Sequence, residues 1–177
     1  LESLLNGKHI PSIIIFCSRK DKVKELDRKL QKLKYNAGAI HSDLEQEQRN
    51  EVLRNFKNRS VQILVATDIL SRGIDIDSIG LVINYDVPGD AEDYVHRVGR
   101  TARAETTGVA LTFIGPEDQR KFKRIEELIE TDIQKLQVPE SLGKTPEYLP
   151  LKKHADSGQR FNRKFHPGKG KPNFKKN

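Results

Sequence analysis

Apolar positions in this chain fall into two alternating kinds of run. Ile13–Cys17, Ala37–His41, Gln62–Ala66, Leu81–Tyr85 and Gly108–Ile114 are short and largely unbroken, the mark of strands covered on both faces. Between them the apolar residues space out to a helical period. Val23, Leu26, Leu30 and Leu33 follow Ser18, which can cap a helix. Leu44–Phe56 reads as a helix with Val52, Leu53 and Phe56 as core positions, and Asp90 can cap another over 91–101. Pro116 suits the first turn of a last helix, striped by Phe122, Ile125, Leu128 and Ile129 to about Thr131. Strands alternating with helices predict an α/β fold, a parallel doubly wound sheet whose ligands bind beyond the carboxyl ends of the strands.

The periodicity fades after Thr131, so irregular chain laid over the domain is predicted from about residue 133. At 177 residues there is material for one core, placed at 1–151, and a tail. Composition sharpens that division. From Lys152 there are nine Lys/Arg and one acid, Asp156, which leaves 23 basic against 24 acidic residues before it. The pI near 9.5 therefore belongs to 152–177, whose Lys, Arg, Gly, Pro, Asn and Phe predict a disordered tail. The one cysteine, Cys17, ends an apolar run and reads as a buried, reduced thiol, with an intracellular, cytoplasmic location expected. No apolar run approaches a membrane span and no signal-peptide pattern opens the chain. The start at Leu1 rather than Met predicts a piece of something longer.

The chemistry concentrates just after strands. In Tyr94–Arg103, three arginines and a histidine stand within eight residues. On a helix over 91–101, His96, Arg100 and Arg103 share one face at i, i+4 and i+7, with Arg97 about a quarter-turn away. Such a stripe is either a solvated basic face or a phosphate site, because planar, permanently charged forks suit a polyphosphate. Upstream, Ala66–Asp75 packs two carboxylates, two hydroxyls, an arginine and a glycine into one strand exit. Thr67 and Gly73 can offer a hydroxyl and backbone N–H groups to a phosphate, and Asp75 can accept from ribose hydroxyls. For Asp68 a helix cap or an internal salt bridge is the simpler role.

Together these segments resemble the second RecA-like domain of superfamily 2 helicases, specifically DEAD-box RNA helicases. Ile13–Arg19 looks like motif IV, Gln46-Glu47-Gln48-Arg49 like the Q-x-x-R element, Ala66–Asp75 like motif V and His96–Arg103 like motif VI. The likeness covers roughly residues 10–135, with four motifs in family order and spacing. Residues 86–94 and the basic tail look most like bacterial RhlE-type members.

The resemblance implies a RecA-like, P-loop-NTPase-like fold and the C-terminal half of an ATP-dependent RNA helicase, expected as a monomer away from membranes. Arg100 and Arg103 would be arginine fingers on the γ-phosphate. His96 and Arg97 would tie the site to the partner domain's acidic motif and to neighbouring loops. Asp75 would hold the ribose, with Gly73 beside the nucleotide. Ser18, Arg19, Gln46, Arg49, Thr67, Asp68, Arg72 and Gly73 would meet RNA backbone, which carries no sequence information. ATP with Mg2+ would be held mainly by an N-terminal RecA-like domain.

Three positions depart from the pattern: Ser42 stands where His-Gly-Asp is usual, Ala102 between the finger arginines and Glu105 after them, both in place of glycine. There is no Walker A loop. Val138–Thr145 misses its first glycine, and Asp90-Ala91-Glu92-Asp93 reads as helix capping, not as the acidic magnesium motif. The chain by itself is therefore expected to be inactive as an ATPase. A stand-alone, non-catalytic RNA-binding or annealing module is the alternative.

In the tail, Phe161 and Phe165 lie among Arg160, Arg163 and Lys164, and Phe174 precedes Lys175 and Lys176. Rings that stack on bases beside cations that meet phosphates read as an RNA tether, against a solubilising end with incidental aromatics. Deleting 152–177 is expected to weaken RNA binding and to flatten its salt dependence in a titration series; an unchanged salt slope would show the tail to be inert.

Overall fold

The computed structural model describes residues 1–5, 10–68, 79–101 and 108–150. Five strands, β1 (Ile13–Phe16), β2 (Ala37–Ile40), β3 (Ile63–Ala66), β4 (Leu81–Asn84) and β5 (Val109–Thr112), form one sheet in the order β2-β3-β1-β4-β5. Every pairing is parallel and in step, with Ile13 opposite both Ile63 and Leu81. All five thus end at one edge, and each matches a predicted run trimmed at its ends. A short α1 (Glu2–Leu5), for which the sequence pattern offers no signal, adds Leu5 to the core.

Alternation along the buried strands sends neighbouring residues to opposite faces. Ile13, Ile15, Ile63, Val65, Leu81 and Ile83 pack with Val23, Leu26 and Leu30 of α2 (Lys20–Lys32). Ile14, Phe16, Leu64 and Val82 pack with Phe56 of α3 (Gln46–Lys57). Cys17 is buried between charged groups, and burial pushes its thiol up to about 12, as an inert core residue requires.

Two predicted core positions lie elsewhere. Leu33 falls after the last turn of α2, where Lys34 turns left-handed at φ 63°, and it is 46% exposed. Leu128 ends α5 (Gln119–Leu128) at 50% exposure, while Phe122 and Ile125 are buried. Ser18 caps nothing: the N-cap of α2 is Arg19, and the serine's donors go to Asp86.

A third cluster joins α5 to α4 (Ala91–Val98) through Val87, Tyr94, Phe122 and Ile125. The chain after α5 has little regular structure, yet it is fixed in place. Gln119 acts as a piece of backbone, with Nε2 donating to the Glu147 carbonyl at 2.7 Å and Oε1 accepting from Leu149 N–H at 2.6 Å. Glu126 is a buried hub that accepts from the Ile133 amide at 2.9 Å, from the Tyr148 hydroxyl at 3.1 Å and from Lys135. Tyr94, Phe122 and Tyr148 meet edge to face, linking α4 to this extension through α5.

Burial acts to raise the Glu126 pKa, but Lys135, the Ile133 amide and Tyr148 outweigh it and hold the carboxyl below its ordinary value. A depressed folded-state pKa contributes stability that is full above the unfolded value of about 4.3 and lost as pH falls through the folded one. The Ile133 amide resonance should therefore titrate below about pH 4.3, and Glu126→Gln should abolish the titration. A midpoint at or above that value would contradict the hub.

Candidate functional site

The parallel order places the exits of β1, β2, β3 and β4 along one edge, and the candidate residues sit on them. Ser18 and Arg19 leave β1, His41, Ser42 and Asp43 leave β2, Thr67 and Asp68 leave β3, and Asp86 leaves β4. α4 carries His96 and Arg97 to the same place. Among the site residues expected from the sequence, Arg72, Gly73, Asp75, Arg103, Phe161, Arg163, Lys164 and Phe165 lie outside the described residues, as do Ala102 and Glu105.

The helix expected over 91–101 is shorter, so His96 and Arg100 do not share one helical face. α4 ends at Val98, and the Arg100 and Thr101 amides donate to the carbonyls of Arg97 and Val98, three residues back, in a tightened turn. Arg97, off the expected stripe, points inward and is 2% exposed. Its Nε donates to Asp68 Oδ1 at 2.5 Å and Nη2 to Oδ2 at 2.7 Å, a two-pronged pair with the exit of β3. Its Nη1 reaches Asn84 Oδ1 and the Asp86 carbonyl, each at 3.0 Å. The guanidinium lies 5.1 Å from the centroid of the Phe16 ring, at the end of β1. One side chain therefore holds the ends of the three central strands. The simpler role expected of Asp68, an internal salt bridge, is what the structure has.

Asn84 completes this lattice by donating Nδ2 to Thr112 Oγ1 at 3.0 Å, which adds β5. The sequence reading passed over Asn84. Its signal is a polar residue ending the otherwise apolar Leu81–Ile83, where burial demands a partner. Arg100 is half-buried and His96 exposed, three residues after and one before the buried Arg97. Thr101 is buried and donates Oγ1 to the Val98 carbonyl at 2.8 Å. Gly108 lies against Thr101 so closely that a Cβ there would come within 2.8 Å of its carbonyl oxygen, so the chain is pinched at that point.

The exit of β2 is tied to α2. Asp43 accepts from Lys20 at 2.8 Å and from Lys24 at 2.6 Å, and these hydrogen bonds hold its carboxyl far below the usual range. Ser42 has no left-handed backbone, so serine fits where the family pattern has glycine. Arg49 donates Nη2 to the Ser42 carbonyl at 3.2 Å, fixing this exit to α3, and Gln46 donates to Asn50 within α3 at 3.1 Å. Among the described residues, the buried His41 Nδ1 and Arg49 Nε find no hydrogen-bond partner. Burial, then the nearby Lys24 charge, lowers the His41 pKa and favours the neutral ring. Arg19, Gln46 and Asp43 are exposed beside these anchors, so the edge offers a guanidinium, an amide and a carboxylate already paired with Lys20 and Lys24.

The helicase conserved C-terminal domain family matches residues 1–105. The chain is 40% identical over 136 residues to ATP-dependent RNA helicase eIF4A of Saccharomyces cerevisiae, covering 77% of this chain and 34% of that protein. It is 43% identical over 152 residues to ATP-dependent RNA helicase DbpA of Bacillus subtilis, covering 84% and 32%. It thus spans about a third of the curated relatives it matches. Among solved structures, a DEAD box protein from Methanococcus jannaschii superposes with a TM-score of 0.72 at 42% identity over 77% of this chain and 37% of that one. The E. coli DEAD-box protein SrmB, solved with regulator of ribonuclease activity A, gives 0.74 at 32% identity over 82% and 86%.

Removing one partner of the Arg97–Asp68 pair leaves a buried charge uncompensated. Asp68→Ala is expected to cost about 3 kcal/mol in denaturant unfolding. A cost below about 1 kcal/mol, as for an exposed pair, would show that the link is not structural.

Proposed function

We propose, for a chain that belongs to the helicase conserved C-terminal domain family and is the C-terminal RecA-like domain of a DEAD-box RNA helicase, that it forms one wall of a composite ATP site and one half of an RNA-backbone site. The other half is an N-terminal RecA-like domain. The observation that carries this reading is the placement of Arg100 on a tight turn directly after a buried arginine that grips the exits of three strands. An arginine whose backbone is fixed in this way has less freedom to lose on meeting an anion, which favours transition-state stabilisation.

In this reading Arg100 and Arg103 lie on the γ-phosphate and neutralise charge that develops as its bond to the β-phosphate breaks. Asp75 accepts from the ribose, with Gly73 beside the nucleotide, and His96 faces the partner domain. The donor set of this edge, guanidinium and amide groups, suits the polyphosphate; magnesium belongs to the other half. Arg97 acts from inside the domain as a positioning residue, because its three nitrogens already donate to Asp68, Asn84 and Asp86. RNA backbone runs over Ser18, Arg19, Gln46, Arg49, Thr67 and Arg72, with Asp68 holding the β3 exit beneath them. Contacts of this kind read no bases, so RNA is bound without sequence preference.

With the N-terminal half supplied, the protein should hydrolyse ATP in an RNA-stimulated manner. Arg100→Ala should lower kcat about 10³-fold while RNA binding stays within a few fold. Hydrolysis unaffected by that substitution would overturn the finger assignment. RNA binding and annealing without any hydrolysis would favour a non-catalytic module.

A further inference from the structure

Asp86, on the exit of β4, enters the site above only through its backbone carbonyl, yet its carboxylate ties this exit to that of β1 and to α2. Its Oδ2 accepts from the Ser18 amide at 2.9 Å and from the Ser18 hydroxyl at 3.0 Å, and its Oδ1 from Lys22 of α2. Its backbone carbonyl accepts from Arg97. Burial acts to raise its pKa, but Lys22 and the two Ser18 donors outweigh it, so the carboxylate stays ionised.

These bonds decide which protons the β1 exit can offer an incoming phosphate. A serine hydroxyl has one proton, and that of Ser18 goes to Asp86. The Lys22 ammonium is paired to the same carboxylate and only about a third exposed. Arg19, exposed and next in sequence, is left as the cation that faces outward from this exit.

We propose that Asp86 is a positioning residue for RNA: it clamps Ser18 and Lys22 so that Arg19 is presented to the phosphate backbone, while Arg97 fixes the Asp86 backbone to the arginine-bearing turn. This inference rests on the functional reading above. It has a distinctive sign. Removing an acid beside a polyanion site, and freeing a lysine there, should by charge alone tighten RNA binding. The clamp demands the opposite.

The test is RNA-stimulated ATP hydrolysis by the two-domain protein, with RNA and ATP varied separately. Asp86→Ala is expected to raise the RNA concentration for half-maximal stimulation at least fivefold. Because the backbone carbonyl that binds Arg97 remains, kcat at saturating RNA and the KM for ATP should stay within twofold. Asp86→Asn retains an acceptor for Ser18 and should recover most of the RNA affinity. Should Asp86→Ala fail to fold, Asp86→Asn and Lys22→Gln, each removing the ion pair, should raise the RNA requirement about twofold. Unchanged or tighter RNA use by these variants, or equal losses in kcat and RNA affinity, would overturn the clamp and leave the functional reading standing. No RNA-stimulated hydrolysis in the unsubstituted protein would overturn both.

Discussion

The site depends on one buried cation. Arg97 is a permanent charge inside a domain, a costly arrangement unless every donor finds an acceptor. It finds a carboxylate at the end of β3, an amide and a carbonyl at the end of β4, and an aromatic face at the end of β1. Those acceptors come from three separate strand ends, so the charge is satisfied only when the sheet edge and α4 are correctly assembled. A buried ion pair is weak evidence for stability by itself. Here its consequence is geometric: it fixes strand exits that would otherwise be loops free to drift.

That constraint divides the charged residues of the edge into two layers. Arg97, Asp68, Asn84, Asp86 and Asp43 hold one another and their neighbours. Arg19, Gln46 and His96 stand outside them, with Arg100 half-exposed. The acids do not repel a polyanion as their number suggests, because each is paired within the chain: Asp68 with Arg97, Asp86 with Lys22, and Asp43 with Lys20 and Lys24. The same logic reaches the far side of α4, where Tyr94, Phe122 and Tyr148 connect the arginine-bearing helix to an extension that Glu126 and Gln119 lock down.

Much of the sheet was legible in the sequence because Ile13–Phe16, Ile63–Ala66 and Leu81–Asn84 are buried on both faces, and such strands must read as unbroken apolar runs. Helix ends were less so. α2 stops on a left-handed lysine, not a glycine, and the Gly99 that follows α4 keeps a right-handed backbone in a tightened turn, so neither end is a left-handed glycine cap. The role of Asp68 was readable as an internal pair, but its partner was not, since Arg97 is 29 residues away and only tertiary packing joins them. The fading periodicity marked the chain from about residue 133 as irregular. It could not show that single side chains, Gln119 and Glu126, replace the missing regular hydrogen bonds.

The central claim is that Arg97 and Asp68 act as one unit on which the strand exits are built. A double-mutant cycle in denaturant unfolding, with Arg97→Met and Asp68→Leu alone and together, tests it most directly. The account predicts strong coupling, with the double variant recovering about 2 kcal/mol or more relative to the sum of the single losses. Additivity within about 0.5 kcal/mol would mean that the two residues act independently and would contradict the account.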